Sequence, residues 1–169
     1  MRILLIGKAG QLGWELNRTL LTLGEIIPLD YPEIDLANTG SISALIGEVK
    51  PSVIVNAAAY TNVDKAESEP EIARRVNADA VGEMARTARE LGALLVHIST
   101  DYVFDGRKGS PYVETDMPNP INLYGRTKLE GEQQVQAAGC AYWIFRTSWM
   151  YSTRAGGFVN KVTEWTKTM

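Results

Sequence analysis

The 169-residue sequence holds one cysteine, one histidine and no excess of positive charge, and each scarcity excludes a class of protein. Cys140 has no second cysteine to pair with, so an intramolecular disulfide is impossible and a reducing compartment is expected. His97 stands without a companion ligand in the sequence, so no metal site is expected and it reads as a strand residue. Seventeen basic residues against 20 acidic ones give a net charge of −3 and a pI near 5.3. No basic stripe argues for nucleic acid. Apolar runs all fall short of the ~20 residues of a membrane span, and Met1 leads into a strand pattern rather than a signal core, so the expected location is cytoplasmic with no membrane partner. What remains, 45% apolar and 22% charged, is the composition of a globular chain. Its length suits one domain over residues 1–169, able to bury roughly 70% of its unfolded surface without a staple.

Short β-branched runs alternate with segments of helical period, the pattern of parallel strands joined by crossover helices. Strands are expected at Arg2 to Ile6, Ile26 to Leu29, Val53 to Asn56, Ala93 to Ser99 and Tyr142 to Arg146, with a possible short sixth after Thr147. The first helix should turn Leu12, Leu16, Leu20 and Leu23 inward and end at a left-handed Gly24. A second spans Ser41 to Lys50 with Ile42, Leu45, Ile46 and Val49 inside, and Pro51 stops it. A long third runs from Pro70 to Leu91 with Ile72, Val76, Ala80, Met84 and Ala88 as its inner stripe. Tyr124 to Ala138 and Phe158 to Met169 complete the helices. The stretch from Thr100 to Leu123 reads as a long irregular loop, a feature usually tied to function.

Gly7, Gly10 and Gly13, with Gln11 and Leu12 between the last two, sit in a strand-to-helix turn. Glycine there lets the backbone approach a diphosphate, and the helix start offers unpaired N–H groups. No Gly-Lys-Ser/Thr closes the turn, which excludes a triphosphatase loop. Asp30 ends the second strand, the place of a carboxylate that accepts from the adenine ribose hydroxyls. It would repel a 2′-phosphate, and no arginine follows within ten positions, which favours NADH. Asp35 and Leu36 suit either an adenine contact or a turn at a helix entry. Asn56 to Ala59 ends the third strand where open α/β sheets place ligands, and its small side chains leave room for a cofactor or for close helix packing.

Tyr124 and Lys128 lie four apart at a helix start and share a face. A nearby ammonium and a helix N-terminus would lower the tyrosine pKa from about 10 towards the working range, and Tyr124 could then pass a proton to a carbonyl oxygen. Thr100 closes the fourth strand at the same sheet edge, whereas alternation turns Ser99 to the other face. Glycine turn, acid, strand-end hydroxyl and Tyr-x-x-x-Lys together predict an α/β fold, a doubly wound Rossmann-type parallel sheet with helices on both faces, that binds a nicotinamide dinucleotide.

Across nearly the whole chain the sequence resembles the N-terminal part of the dTDP-4-dehydrorhamnose reductase family of extended short-chain dehydrogenases/reductases. The matching stretches are Gly7 to Gly13, Asn56 to Glu69, Ser99 to Phe104, Pro118 to Glu132 and Arg146 to Tyr151, of which STDYVF and Tyr-Gly-x-Thr-Lys-x-x-Gly-Glu are the most diagnostic. The resemblance implies reduction of the 4-keto group of dTDP-4-dehydro-β-L-rhamnose, giving dTDP-L-rhamnose, with NADPH or NADH as cofactor, since members accept both. It implies Tyr124 as proton donor with Lys128 and Thr100 as the other catalytic residues. Ala58, Ala59 and Tyr60 fall on the cofactor side, and Asp101, Trp149 and Val63 near a nucleotide sugar. It further implies a homodimer and a C-terminal portion, absent from this chain, that completes the substrate pocket. Two alternatives stay open: a dinucleotide-binding regulatory subunit like methionine adenosyltransferase β, and a reductase of another 4-keto nucleotide sugar.

Overall fold

The fold is seen in a computed structural model that describes residues 1–152 and 158–168. Five parallel strands, β1 (Arg2–Ile6), β2 (Glu25–Leu29), β3 (Val53–Asn56), β4 (Leu94–Thr100) and β5 (Ala141–Thr147), stand in the order β2-β1-β3-β4-β5. The order reverses between β1 and β3, which opens a crevice at the carboxyl ends of those two strands. Helices on both faces make this the doubly wound α/β sheet that the sequence predicts. The sixth strand does not follow Thr147 among the described residues, and residues 153–157 lie outside them.

Strand alternation divides the core. Leu4, Ile6, Ile54 and Leu95 face α2 (Ile42–Val49) and α5 (Ala80–Leu91), which contribute Ile42, Ile46, Val81, Met84 and Ala88. On the other face Ile3, Leu5 and Val55 meet Leu16 and Leu20. Helix α1 (Gln11–Thr19) tightens into a 3-10 turn at Leu20–Thr22, which changes the phase and leaves Leu23 exposed rather than inward. Gly24 is not left-handed; a Cβ there would stand 2.1 Å from the Met1 carbonyl oxygen, so its glycine serves close passage beside the start of β1. The left-handed cap of α2 is Lys50, one residue before Pro51.

The expected Pro70-to-Leu91 helix is divided. After a separate short α3 (Val63–Ala66), its first piece is α4 (Pro70–Arg74), and a π-helical segment at Arg75–Asp79 then leads into α5. The wider segment breaks the 3.6-residue phase. Ala80, Met84 and Ala88 remain inward, while Ile72 is turned out. Between β4 and α6 (Leu123–Ala138) the chain makes a 3-10 turn at Asp101–Val103 and then an irregular loop. Asp105 orders that loop by accepting from the Arg107 N–H, the Asn119 amide and the Tyr112 hydroxyl. These bonds hold its carboxyl down at about 2. Helix α7 (Phe158–Thr168) ends the described chain.

Candidate functional site

The crevice between β1 and β3 is shaped by side chains left out. Gly7 has φ +92°, and a Cβ on it would stand 2.7 Å from the Ala58 nitrogen. A Cβ on Gly13 would stand 1.8 Å from the Gly7 carbonyl oxygen, so this glycine lets α1 press against the end of β1. Gly10 is the N-cap of α1 and provides no side-chain cap, and the first turn, which includes Gln11 and Leu12, contains no acid. Free N–H groups and the positive helix end therefore face the crevice, a cradle suited to a diphosphate.

Beside the cradle lies a cavity of about 320 Å3 whose walls include Gly7, Asp30, Asp35, Leu36, Ala58, Ala59 and Tyr60. The cavity thus gathers seven residues singled out in the sequence. Asp30 accepts from the Ala9 N–H at 2.7 Å and from the Tyr31 N–H at 2.8 Å, which tie the end of β2 to the glycine turn. Asp35 lines the cavity and accepts from the Ala37 N–H within its own turn. Sequence reading missed Tyr31, Ile34, Ala37, Glu69, Ile72 and Val76 in the same walls. Val76 packs against the core as its spacing predicts and reaches the cavity as well, whereas Ile72, expected inward, is turned by the π segment to the cavity wall.

Thr100 and Tyr124 meet at the carboxyl end of β4. The Thr100 hydroxyl donates to Asp101 Oδ1 at 3.1 Å, accepts from the Tyr102 N–H at 3.2 Å, and is in hydrogen-bonding reach of the Tyr124 phenol. Their meeting has a steric cause: a Cβ on Gly125 would stand 2.2 Å from the Tyr102 carbonyl oxygen, so α6 begins directly on the 3-10 turn. Asn122 caps that start by accepting from the Gly125 N–H, and Glu67 accepts from the Leu123 N–H. The Tyr124 ring stands edge-on to Tyr102, centroids 5.6 Å apart.

Burial raises the Tyr124 pKa, the Thr100 hydrogen bond offsets this in part, and the Asp101 carboxylate raises it further. This corrects the expected lowering by Lys128. The lysine turns to β4 instead: fully buried, its Nζ donates to the Ile98 carbonyl at 2.6 Å and lies 3.4 Å from His97 Nε2. Burial pushes its pKa down to about 8, against the pull of Glu132. His97 is also fully buried, and burial drives its pKa well below the ordinary range.

Two buried polar groups escaped the sequence reading. Glu132, one turn beyond Lys128, accepts from the Ser99 hydroxyl and from Arg146 Nε and Nη2, the latter at 2.6 Å. It fastens α6 to β4 and β5 at once. Asn77, in the π segment, accepts from the Tyr60 N–H and donates to the Tyr60 carbonyl and to Thr127 Oγ1, linking the cavity wall to α6. An asparagine and a glutamate on otherwise buried helix faces were the available signals.

Asp101 Oδ2 accepts from Ser148 at 2.7 Å, which places β5's exit beside Thr100. Trp149 follows in the left-handed region at φ 51° and is 75% exposed, apart from the lining of the cavity. Val63 opens α3, which packs beside α6. No group of three His, Cys, Asp or Glu suited to a metal occurs among the described residues, and no described helix is long and apolar enough to cross a membrane.

The whole chain, residues 1–169, matches the family described as RmlD substrate binding domain. It is 48% identical over 159 residues to a dTDP-4-dehydrorhamnose reductase of Burkholderia thailandensis, covering 94% of this chain and 53% of that protein. With the enzyme of that name from Escherichia coli K12 the identity is 47% over 162 residues, covering 94% and 54%. The chain therefore spans about half the length of the curated relatives it matches. A solved dTDP-4-dehydrorhamnose reductase of Bacillus anthracis, in complex with NADP, superposes with a TM-score of 0.95 at 38% identity, covering 99% of this chain and 60% of that one.

Proposed function

Because the chain belongs to the RmlD substrate binding domain family, we propose that it is the dinucleotide-binding and proton-donating part of a reductase that converts dTDP-4-dehydro-β-L-rhamnose to dTDP-L-rhamnose with NADPH or NADH. The observation that carries this reading is the meeting of Thr100 and Tyr124 at the sheet edge that also bears the glycine cradle. The resemblance of both ends to reductases named for this reaction supports it.

Gln11, Leu12 and Gly13 offer the diphosphate their backbone N–H groups, Gly7 and Gly10, whose own N–H groups go to the Leu29 and Gly7 carbonyls, let it approach closely, and Asp30 takes the adenine ribose. Asp35, Leu36, Ala58, Ala59 and Tyr60 wall the adenosine. Lys8 pairs with Glu33 at 2.6 Å, and Glu33 also accepts from the Asp30 N–H, so an ammonium stands near the ribose carboxylate, which supports use of either dinucleotide. When bound, the reduced nicotinamide supplies hydride to the carbonyl carbon. Tyr124, kept protonated by its burial, gives its proton to the carbonyl oxygen, and Thr100 orients that oxygen. Lys128 supports the tyrosine. Asp101, Trp149 and Val63 face the sugar, the rest of its pocket coming from a C-terminal portion. The protein works in the cytoplasm as a homodimer.

Two measurements test this. Titration of the chain with NADH and NADPH should give saturable binding, and none with either would overturn the cofactor assignment. In the longer protein, Tyr124→Phe should cut turnover of the 4-keto sugar by about 10²–10⁴-fold while dinucleotide binding persists. Unchanged turnover would remove Tyr124 as the donor.

A further inference from the structure

Lys128 ends a buried chain of side chains from three elements. Asn56 at the end of β3 is 1% exposed, and its amide is oriented by the Ala58 N–H, which donates to Asn56 Oδ1 at 3.1 Å. The amide nitrogen consequently faces His97 Nδ1, at 3.2 Å. An NH2 group only donates, so Nδ1 must accept and the ring proton must sit on Nε2. That Nε2 points at Lys128 Nζ, 3.4 Å away. The opposite tautomer would set N–H against NH2 between β3 and β4. Turning the amide over would strand the Ala58 N–H instead. With both side chains excluded from water, either arrangement leaves buried donors unpaired.

We propose that His97 is a positioning residue for Lys128: locked by Asn56 as the Nε2–H tautomer, it presents a donor to the lysine nitrogen and so favours the neutral amine at that position. A neutral amine has two N–H donors and one lone pair, and the surroundings fit that count. One N–H goes to the Ile98 carbonyl, the lone pair receives the His97 N–H, and one N–H is left for use above. An ammonium would turn a third N–H against that of His97. The groups around the amine oppose this weakly. Glu132, on the same helix, favours the ammonium, but its carboxylate is already held by Arg146 from β5 and Ser99 from β4. Asn56 from β3 and the β4 backbone are uncharged, and Asp101 acts on Tyr124. Burial brings the Lys128 pKa down to about 8, close to the working pH, where an exposed lysine would hold its proton firmly.

The significance for catalysis rests on the reductase reading, but the test does not. His97 is the one histidine of the chain, so protein labelled with ring-¹⁵N histidine gives one pair of imidazole signals. The expected spectrum shows an unprotonated Nδ1 and a protonated Nε2 at neutral pH, with Nε2 shifting as pH passes about 8. In Lys128→Met that step should vanish while the tautomer persists. An Nδ1–H tautomer, averaged signals, an imidazolium at neutral pH, or an Nε2 signal flat between pH 7 and 9.5 in the unaltered chain would overturn the proposal. If the spectrum is as expected but the chain binds no dinucleotide, the function proposed above fails and the role of His97 stands.

Discussion

Around Gly7 the molecule leaves side chains out, whereas around Lys128 it brings polar ones in. The first region presents backbone: Gly7, Gly10 and Gly13, with Ala58 and Ala59, leave side chains out and open a crevice onto the start of α1. The second presents Asn56, Asn77, His97, Ser99, Thr127, Lys128 and Glu132, all buried and all hydrogen-bonded. One end is specified by steric exclusion and the other by matched donors and acceptors. Substitutions should therefore fail differently at the two ends, gradually with volume at the glycines and abruptly with charge at α6.

The largest effect is expected at the polar end. Glu132→Ala leaves Arg146 and Ser99 without their common acceptor and should lower unfolding free energy by about 3–5 kcal/mol, the range for breaking a buried ion pair. Urea denaturation measures it, and a loss under about 1 kcal/mol would show that the pair is not what holds α6. Lys128→Met should act on the pH dependence instead. The folded chain releases this proton at about 8, against 10.5 ordinarily, so wild-type stability climbs with pH between those values, where only the unfolded chain still holds the proton. Below pH 8 the full penalty of the charged amine is present, roughly 3 kcal/mol. In the methionine variant the rise from pH 8 to 10.5 should vanish, as denaturation across pH would reveal, while its gain at pH 7 is offset by the Ile98 carbonyl and His97 N–H left unpaired.

The glycine end should respond by contact distance. Gly13→Ala places a methyl group against the Gly7 carbonyl and should cost about 1–3 kcal/mol, with dinucleotide binding weakened as α1 shifts. Gly10→Ala meets its nearest neighbour at 3.4 Å with an ordinary φ of −67°, so stability should change by less than about 0.5 kcal/mol. If the proposed diphosphate site is right, its methyl group should nonetheless crowd the ligand and weaken NADH binding in a fluorescence titration. Equal stability losses for Gly13→Ala and Gly10→Ala would remove the distinction between packing and ligand glycines.

This contrast also explains what could be read from the sequence. The strands and the glycine cradle were legible because burial on both faces and close backbone approach each admit few residue types at local spacing. Leu23 and Ile72 were misplaced because a 3-10 turn and a π segment change helical phase without a composition signal. The direction of Lys128 was illegible for another reason: i, i+4 spacing puts it on the face of Tyr124, but its hydrogen bonds lie 30 and 31 residues away on β4. Glu132 with Arg146, and Asn77 with Tyr60 and Thr127, are similarly long-range pairings that no local window contains.

The π segment at Arg75–Asp79 makes chain length itself a determinant of the site. Each residue of an α-helix advances the chain by about 100°. Deleting one residue between 75 and 79 would let the helix close into regular α geometry, yet it would swing Ile72 away from the cavity and carry Asn77 off the Tyr60 loop and Thr127. Along this stretch a replacement that keeps the count is a smaller disturbance than the loss of any single residue, so alteration here is constrained in number before it is constrained in kind.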